Sequence, residues 1–336
     1  MHHHDLYAIG NALVDSEYEV SDDQLKAMGV DKRHMTLIDA PRRAELLGHL
    51  EGFATRRTGG GSAGNTVVAL AQLGGRAFYA CRVGADPLGA FYLQDLIDNG
   101  VASNLAAGQF AAGDTGSCLV MVTPDAERSM STFLGATGDL DHSALREEEI
   151  VRSKLYYMEG YLAASPTGLD AALRGRRMAR SAGVRLATTL SDVSMIRFCR
   201  AGLEAIIGDD LDYLFCNEEE AQVWCDSQDL PAVCKQIGQL ARTVCLTRGP
   251  QGCLVLEGGR QTAVAAASVR AIDSNGAGDM FAGAFMYAVT HGHSHAQAAW
   301  LANQAAAVVV SQYGNRLTRE AMDGVKARFA QFVAQS

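Results

Sequence analysis

The stretch Leu211-Asp212-Tyr213-Leu214-Phe215-Cys216, followed at once by Asn217-Glu218-Glu219-Glu220, decides the fold class. Its apolar side chains run on with little polar alternation, so a strand here is buried on both faces. Val244-Cys245-Leu246-Thr247 repeats the pattern. Candidate strands fall at 6–10, 76–83, 154–161, 184–190, 211–216, 243–248 and 252–257. Helical periodicity covers 63–73, 87–99, 166–182, 217–226, 277–291, 294–313 and 318–334. Continuous apolar strands separated by helices predict an α/β fold, a mainly parallel sheet with helices on both faces. Ser294-x-x-Gln297 supplies a capping box for one late helix.

Two regions depart from that rhythm. Asp15-Ser16-Glu17-Tyr18-Glu19-Val20 alternates with period two, and 117–122 and 129–134 flank the turn Thr123-Pro124-Asp125-Ala126-Glu127-Arg128. These segments, near 11–40 and 112–136, predict a small β-sheet lid over the carboxyl edge of the main sheet, where α/β folds bind ligands. With no internal repeat and no linker, residues 1–336 read as one domain carrying that lid.

Composition narrows the partners. The 336 residues are 48% hydrophobic with only 6 prolines, as in an ordinary soluble α/β protein. A net charge of −9 argues against nucleic acid or an anionic membrane as main partner, since such binding rests on clustered Lys and Arg. No apolar run reaches the ~18 residues of a membrane span. Met1-His2-His3-His4 precedes a strand-like Leu6-Tyr7-Ala8-Ile9 without a basic n-region or long apolar h-region. No signal peptide is expected, and the three histidines are set aside from fold reasoning. The cysteines (Cys81, Cys118, Cys199, Cys216, Cys225, Cys234, Cys245 and Cys253) form no Cys-x-x-Cys pair. They read as reduced, mostly buried thiols of a cytoplasmic protein.

The chemistry is carried by Ala271-Ile272-Asp273-Ser274-Asn275-Gly276-Ala277-Gly278-Asp279-Met280-Phe281-Ala282-Gly283-Ala284-Phe285. Gly276 and Gly278 flank an alanine and let backbone N–H groups converge before a buried helix. Unpaired N–H groups and the helix dipole make such a turn an anion site. A carboxylate at Asp279 would repel a phosphate held there, so it reads as a proton acceptor for the group that attacks the phosphate.

Four further elements each admit two readings. Thr58-Gly59-Gly60-Gly61-Ser62-Ala63-Gly64-Asn65 is either a loop needing positive φ or a ligand cradle. In the cradle, Ser62 caps the helix and Asn65 meets a vicinal diol such as a ribose. Asn11 and Asp15 sit just past the first strand, and Asp15 is either a turn cap or the acceptor for two sugar hydroxyls. Asn217-Glu218-Glu219-Glu220 is either a favourable acidic first turn or a holder of hydrated Mg²⁺. Thr247-Arg248-Gly249-Pro250-Gln251-Gly252 is either a glycine-containing hairpin or a backbone that approaches a nucleotide. His291, His293 and His295 fall in a short helix–helix connection without a carboxylate partner, which weighs against a metal tract.

Taken together these elements describe a small-molecule kinase. Gly-Lys-Ser/Thr, His-Arg-Asp and Asp-Phe-Gly motifs are missing, which removes the P-loop and protein-kinase classes. A dinucleotide oxidoreductase fares poorly, because Phe281 stands at the third glycine of that fingerprint, far from the first βαβ unit. A non-catalytic nucleotide-binding protein has no need of Asp279.

The chain resembles the ribokinase-like (PfkB) family of carbohydrate and nucleoside kinases along nearly its whole length. Gly60-Gly61-Ser62-Ala63-Gly64-Asn65 is similar to the family's first signature and Asp273-Ser274-Asn275-Gly276-Ala277-Gly278-Asp279 to its second, with Ser274-Asn275 where Thr-Thr is common. Asn217-x-x-Glu220 resembles its Asn-x-x-Glu motif. Gly10 to Asp15, Thr123 to Arg128 and Glu159-Gly160-Tyr161-Leu162 are similar to segments of the adenosine-kinase branch.

That resemblance implies ATP-dependent phosphorylation of a nucleoside 5′-hydroxyl, adenosine to AMP in purine salvage. Asp279 would be the base, with the 276–278 amides on the transferring phosphoryl and Arg128 adding positive charge from the lid. Asp15 and Asn65 would hold ribose hydroxyls beside Asn11, Gly60, Gly61 and Ser62, with Tyr161 packed on the base. Asn217 and Glu220 would organise Mg²⁺. Thr247, Arg248, Gly249 and Gly252 would line the ATP site with Asn217 and Asn303 near. A monovalent cation such as K⁺ is a further implied cofactor, and the implied assembly is a monomer or homodimer. The alternative is a ribokinase- or fructokinase-like sugar kinase, for which a base-stacking Tyr161 matters less.

Overall fold

All six residues of strand β1 (His4–Ile9) are buried in the computed structural model, which describes residues 2–125 and 127–335. The pleat sends alternate residues to opposite faces. Leu6 and Ala8 enter one core, and Tyr7 and Ile9 enter another on the far side of the sheet. A strand with two buried faces has no room for polar alternation, which is why its sequence reads as a continuous apolar run.

In chain order the other strands are β2 (Leu13–Glu19), β3 (Met35–Leu37), β4 (Thr55–Gly60), β5 (Ala77–Ala80), β6 (Ala102–Ser103), β7 (Ser117–Val122) and β8 (Arg128–Phe133). They continue with β9 (Ser153–Met158), β10 (Arg185–Thr189), β11 (Tyr213–Asn217), β12 (Thr243–Thr247), β13 (Cys253–Glu257) and β14 (Arg260–Val264). The large sheet has the order β14-β13-β12-β11-β10-β9-β1-β5-β6. It is parallel from β12 to β6, and β13 and β14 close its far edge as antiparallel neighbours. The ribokinase-like α/β reading holds.

Helices Ser62–Gln72, Ala277–Thr290 and His295–Val310 cover one face, and Pro166–Ser181 and Glu218–Cys225 cover the other. The Ser294 capping box forms with both of its bonds, through Gln297. Each fully buried Leu, Ile or Phe on these faces is worth about 1.5–3 kcal/mol.

A second sheet, β3-β8-β7-β2-β4, stands beside the carboxyl edge of the first. Tyr18, Val20, Leu46, Leu119 and Met121 close a small core on its outer side. The sequence places β2, β7 and β8 well but misses the short β3 and also β4. That strand reads Thr-Arg-Arg-Thr-Gly-Gly, pairs only with β2 at the sheet edge, and has no apolar face for a pattern to reveal. Met1 and Ala126, which belong to stretches read above, lie outside the described residues.

His4, one of the histidines set aside, belongs to the fold. It pairs with Ser153 in the sheet register and lies 2.9 Å from Glu149. Burial pulls its pKa down, against the raising effect of Glu149.

Candidate active site

The turn before helix Ala277–Thr290 is shaped by Gly276, the N-cap, at φ +75°. A side chain at that φ is strained. Asp273 braces the turn by accepting hydrogen bonds from the amides of Asn275 at 3.0 Å and Gly314 at 3.1 Å. The Ala277 amide donates to the Ser274 carbonyl at 3.3 Å. Of the 276–278 amides read as the anion site, those of Gly276 and Gly278 therefore remain for a ligand.

Asp279, in the first turn of the same helix, meets the glycine-rich segment from the other end of the chain. Ser62 Oγ donates to Asp279 Oδ1 at 2.6 Å, and Asn65 Nδ2 donates to Oδ2 at 3.0 Å. Burial pushes the Asp279 pKa up to about 6, while these two hydrogen bonds and the nearby Arg316 charge pull it down. A carboxyl with a pKa near 6 is suited to act as a general base.

Asp15 accepts from Asn315 Nδ2 at 2.9 Å, and burial raises its pKa to about 7. Gly60 makes room for it, since a Cβ there would collide with the Asp15 carboxylate. Glu159, named from the sequence only as part of a similar segment, is a central group. Its carboxylate accepts from the Ala63 amide at 2.8 Å, and from the Asn11 amide and Nδ2 at 3.3 and 3.1 Å. It is buried and its pKa is raised to about 7.

These groups open onto a cavity of about 470 Å³. Every substrate- and metal-binding candidate from the sequence except Gly60 lines it, as do residues 276–279. A second cavity of about 410 Å³ is bordered by Thr247, Gly249, Gly252 and Asn303. The two cavities meet at Ser274, Ala277 and Gly278. Two pockets sharing one glycine-rich turn would suit a donor and an acceptor of a phosphoryl group.

The model of the pfkB family of carbohydrate kinases matches residues 30–322. This chain belongs to that family. A solved structure of adenosine kinase from Sinorhizobium meliloti superposes with a TM-score of 0.83 at 32% identity, covering 96% of this chain and 99% of that one. Adenosine kinase of Saccharomyces cerevisiae is 28% identical over 309 residues, 85% of this chain and 89% of that protein. Ribokinase of Mus musculus is 25% identical over 240 residues, 68% and 70% of the two chains. The resemblance to the adenosine-kinase branch of the ribokinase-like kinases thus holds in sequence and in fold. As a pfkB kinase the chain is a phosphotransferase acting on a sugar or nucleoside hydroxyl.

Several candidates sit in this pfkB kinase differently from their reading in the sequence. Arg128, read as adding positive charge from the lid, has that charge paired with Glu17 at 2.9 Å and Asp273 at 3.3 Å and lies over the ring of Tyr313. Arg248 pairs with Glu218 at 2.8 Å. Asn303 turns its amide to the carbonyls of Val264 and Ala265, at 2.9 and 3.2 Å, and so ties a wall of the second cavity. Asn217 and Glu220 form a reciprocal capping box: Asn217 Nδ2 donates to Glu220 Oε1 at 2.6 Å and the Glu220 amide to Asn217 Oδ1 at 2.8 Å.

That box bears on magnesium. Burial raises the Glu220 pKa to about 7, a cost that a dication nearby would reverse. Among the described residues no group of three His, Cys, Asp or Glu could hold a metal directly. The set fits a Mg²⁺ that keeps its waters and takes its inner ligands from phosphate.

The histidines in the late connection do have carboxylate neighbours, contrary to the sequence reading. His295 lies 3.1 Å from Glu257 and His291 4.0 Å from Asp5, so the pairs diverge. Sequence reasoning missed Asn315 and Arg316. They fall in a short loop between two helices, where no periodicity singles out a polar pair.

Proposed function

We propose that this kinase transfers the γ-phosphoryl group of ATP to the 5′-hydroxyl of a nucleoside, adenosine first among them. The observation that carries the reading is the mixed lining of the acceptor cavity. Polar groups, Asn11, Asp15, Asn65 and Asp279, share it with an apolar wall of Met35, Leu37, Val120 and Met130 from the small sheet. A free sugar carries hydroxyls around its ring and would set some of them against that apolar wall, at a desolvation cost. A nucleoside offers a diol to the polar groups and a planar base to the apolar wall. Tyr161 borders the same cavity and supplies an aromatic face for the base.

In this reading Asp15 receives the ribose hydroxyls, with Asn11 beside it. Asp279 takes the proton of the 5′-hydroxyl as that oxygen attacks, and the amides of Gly276 and Gly278 stabilise the transferring phosphoryl. ATP lies in the second cavity, along Thr247, Gly249 and Gly252. Asn217 and Glu220 would hold a hydrated Mg²⁺, which when bound would supply charge neutralisation at the phosphates. The small sheet acts as a lid that excludes water, since water at the turn would divert the reaction to ATP hydrolysis.

The test is ADP release with Mg·ATP against adenosine, inosine, guanosine, ribose and fructose. The expected order puts adenosine first, with kcat/KM at least a hundredfold above that for ribose. Strong turnover of a free sugar with none of any nucleoside overturns the reading in favour of a sugar kinase.

A further inference from the structure

We propose that Arg316 is a positioning residue for phosphoryl transfer, fixing the Asn65 amide and through it the carboxylate of Asp279. The proposal rests on Asp279 acting as the base. The contacts form one line across four elements. Asp95, on helix Pro87–Asp98, pairs with Arg316 Nη1 in the loop before helix Arg319–Gln335. Arg316 Nε donates to Asn65 Oδ1 at 3.0 Å, and Asn65 Nδ2 donates to Asp279 Oδ2 at 3.0 Å.

The geometry allows Asn65 only one orientation. With its oxygen held by Arg316, its NH₂ group must face the carboxylate, and a flipped amide would set oxygen against oxygen. The line is enclosed. The side chains of Arg316 and Asp95 are 10% and 19% exposed and that of Asn65 is buried, so the charge is little screened. The glycine-rich segment is also cut to admit it. A Cβ on Gly59 would lie 2.9 Å from Arg316 Nη1 and would collide with the Asp95 carboxylate. The first glycine of that segment thus makes room for an ion pair, while its neighbour Gly60 makes room for Asp15.

Arg316 also acts by charge. The titratable or charged groups that interact with Asp279 among the described residues are Arg316, Asp15, Glu159, Tyr157 and Tyr161. Arg316 is the one cation in that set, and it favours the deprotonated base. Removing it would leave two carboxylates and two phenols around Asp279.

The experiment compares Arg316→Met, Arg316→Lys and Asp95→Asn in the full chain by pH–rate profiles and thermal melts. Arg316→Met is expected to lower kcat tenfold or more, leave KM for ATP within twofold, and move the acid limb of kcat upward by half a pH unit or more. Arg316→Lys should return the limb towards its original place while kcat stays low, because an ammonium restores charge but cannot span Asn65 and Asp95. Asp95→Asn keeps the guanidinium charge and loosens its anchor, so kcat should fall severalfold with little movement of the limb. Parental kcat and an unmoved limb in folded Arg316→Met overturn the proposal. Should that variant fail to fold, parental kcat in Asp95→Asn does so instead. Asp279→Asn separates the two readings: full activity there removes the base itself, whereas an inactive Asp279→Asn beside a parental Arg316→Met removes only the positioning role.

Discussion

The two cavities that meet at the 276–279 turn are built in opposite ways. The cavity proposed for the acceptor is a constellation of side chains drawn from distant parts of the chain, with Ser62 bonded to Asp279 across 217 positions. Four of its carboxylates, Asp15, Glu159, Glu220 and Asp279, have pKa values raised by burial. The cavity proposed for the donor is walled largely by glycines and small apolar residues, among them Gly249, Gly252, Ala266, Ala267 and Ala306. Among the described residues no Asp, Glu, Lys or Arg lines it. A donor common to many kinases needs a cleft and an anion turn, whereas selecting and deprotonating one hydroxyl needs titratable groups held in register. Substitutions should therefore divide sharply according to which cavity they touch.

The largest break is expected at Asp279. Asp279→Asn removes the proton acceptor but keeps a side chain that Ser62 and Asn65 can still meet. We expect kcat to fall by roughly 10²–10⁴-fold with ATP affinity unchanged, read by steady-state kinetics and calorimetry with ATP alone. Near-parental turnover would show that the acceptor cavity supplies no base. The parent enzyme tests the same point by pH. With a pKa near 6, Asp279 is ionised above that value, so kcat should fall by about tenfold per unit as pH drops well below 6. A profile flat to pH 5 would remove Asp279 as the group that titrates.

The next effect concerns Asp15. Asp15→Asn should raise KM for the acceptor by about ten- to a hundredfold, leaving KM for ATP within twofold, because a paired, half-buried acceptor is lost on one side only. Its stability effect has a definite sign. The Asp15 pKa rises from an ordinary 3.8 to about 7 in the fold, so its contribution to stability is full below 3.8 and is lost as pH rises through 7. Asp15→Asn should then raise the melting temperature at pH 8 more than at pH 5. Equal shifts at both pH values would mean that the folded protein does not hold this carboxyl at a raised pKa.

The same division explains what the sequence disclosed. The sheet was legible because β1 and β11 bury both faces, and burial on both faces writes a continuous apolar run. Asp279, Ser62 and Asn65 drew notice because glycine-rich turns flank them, but Ser62, read as a helix cap, makes no cap bond and, like Asn65, read as a diol holder, donates to Asp279. Glu159 carries no such mark. It ends a strand in an ordinary way, and its role comes from meeting the Ala63 and Asn11 amides in space. Arg316 is hidden for the same reason, since its partners Asp95 and Asn65 lie 221 and 251 positions away. The segment Asn217 to Glu220 shows the converse: a local pattern read either as an acidic first helical turn or as a metal holder, of which the acidic turn is formed and closed by a cap the sequence reading did not name, and the metal role is compatible with both.

The smallest effect is expected on the donor side, where Asn303 tests whether a wall of backbone can be loosened from behind. Its amide holds the carbonyls of Val264 and Ala265 at the end of β14, beside the residues 266–269 that border the donor cavity. Asn303→Ala leaves those part-buried carbonyls short of a donor, at a cost of about 1 kcal/mol in holding the wall. KM for ATP should rise about fivefold, with kcat and acceptor KM nearly parental, because the one titratable group Asn303 meets among the described residues is the Cys253 thiol, no acceptor-side carboxylate is touched, and the turn at 276–279 is braced by Asp273 instead. A fall in kcat with unchanged KM for ATP would mean that the wall and the catalytic turn move together, and the two cavities would then have to be treated as one.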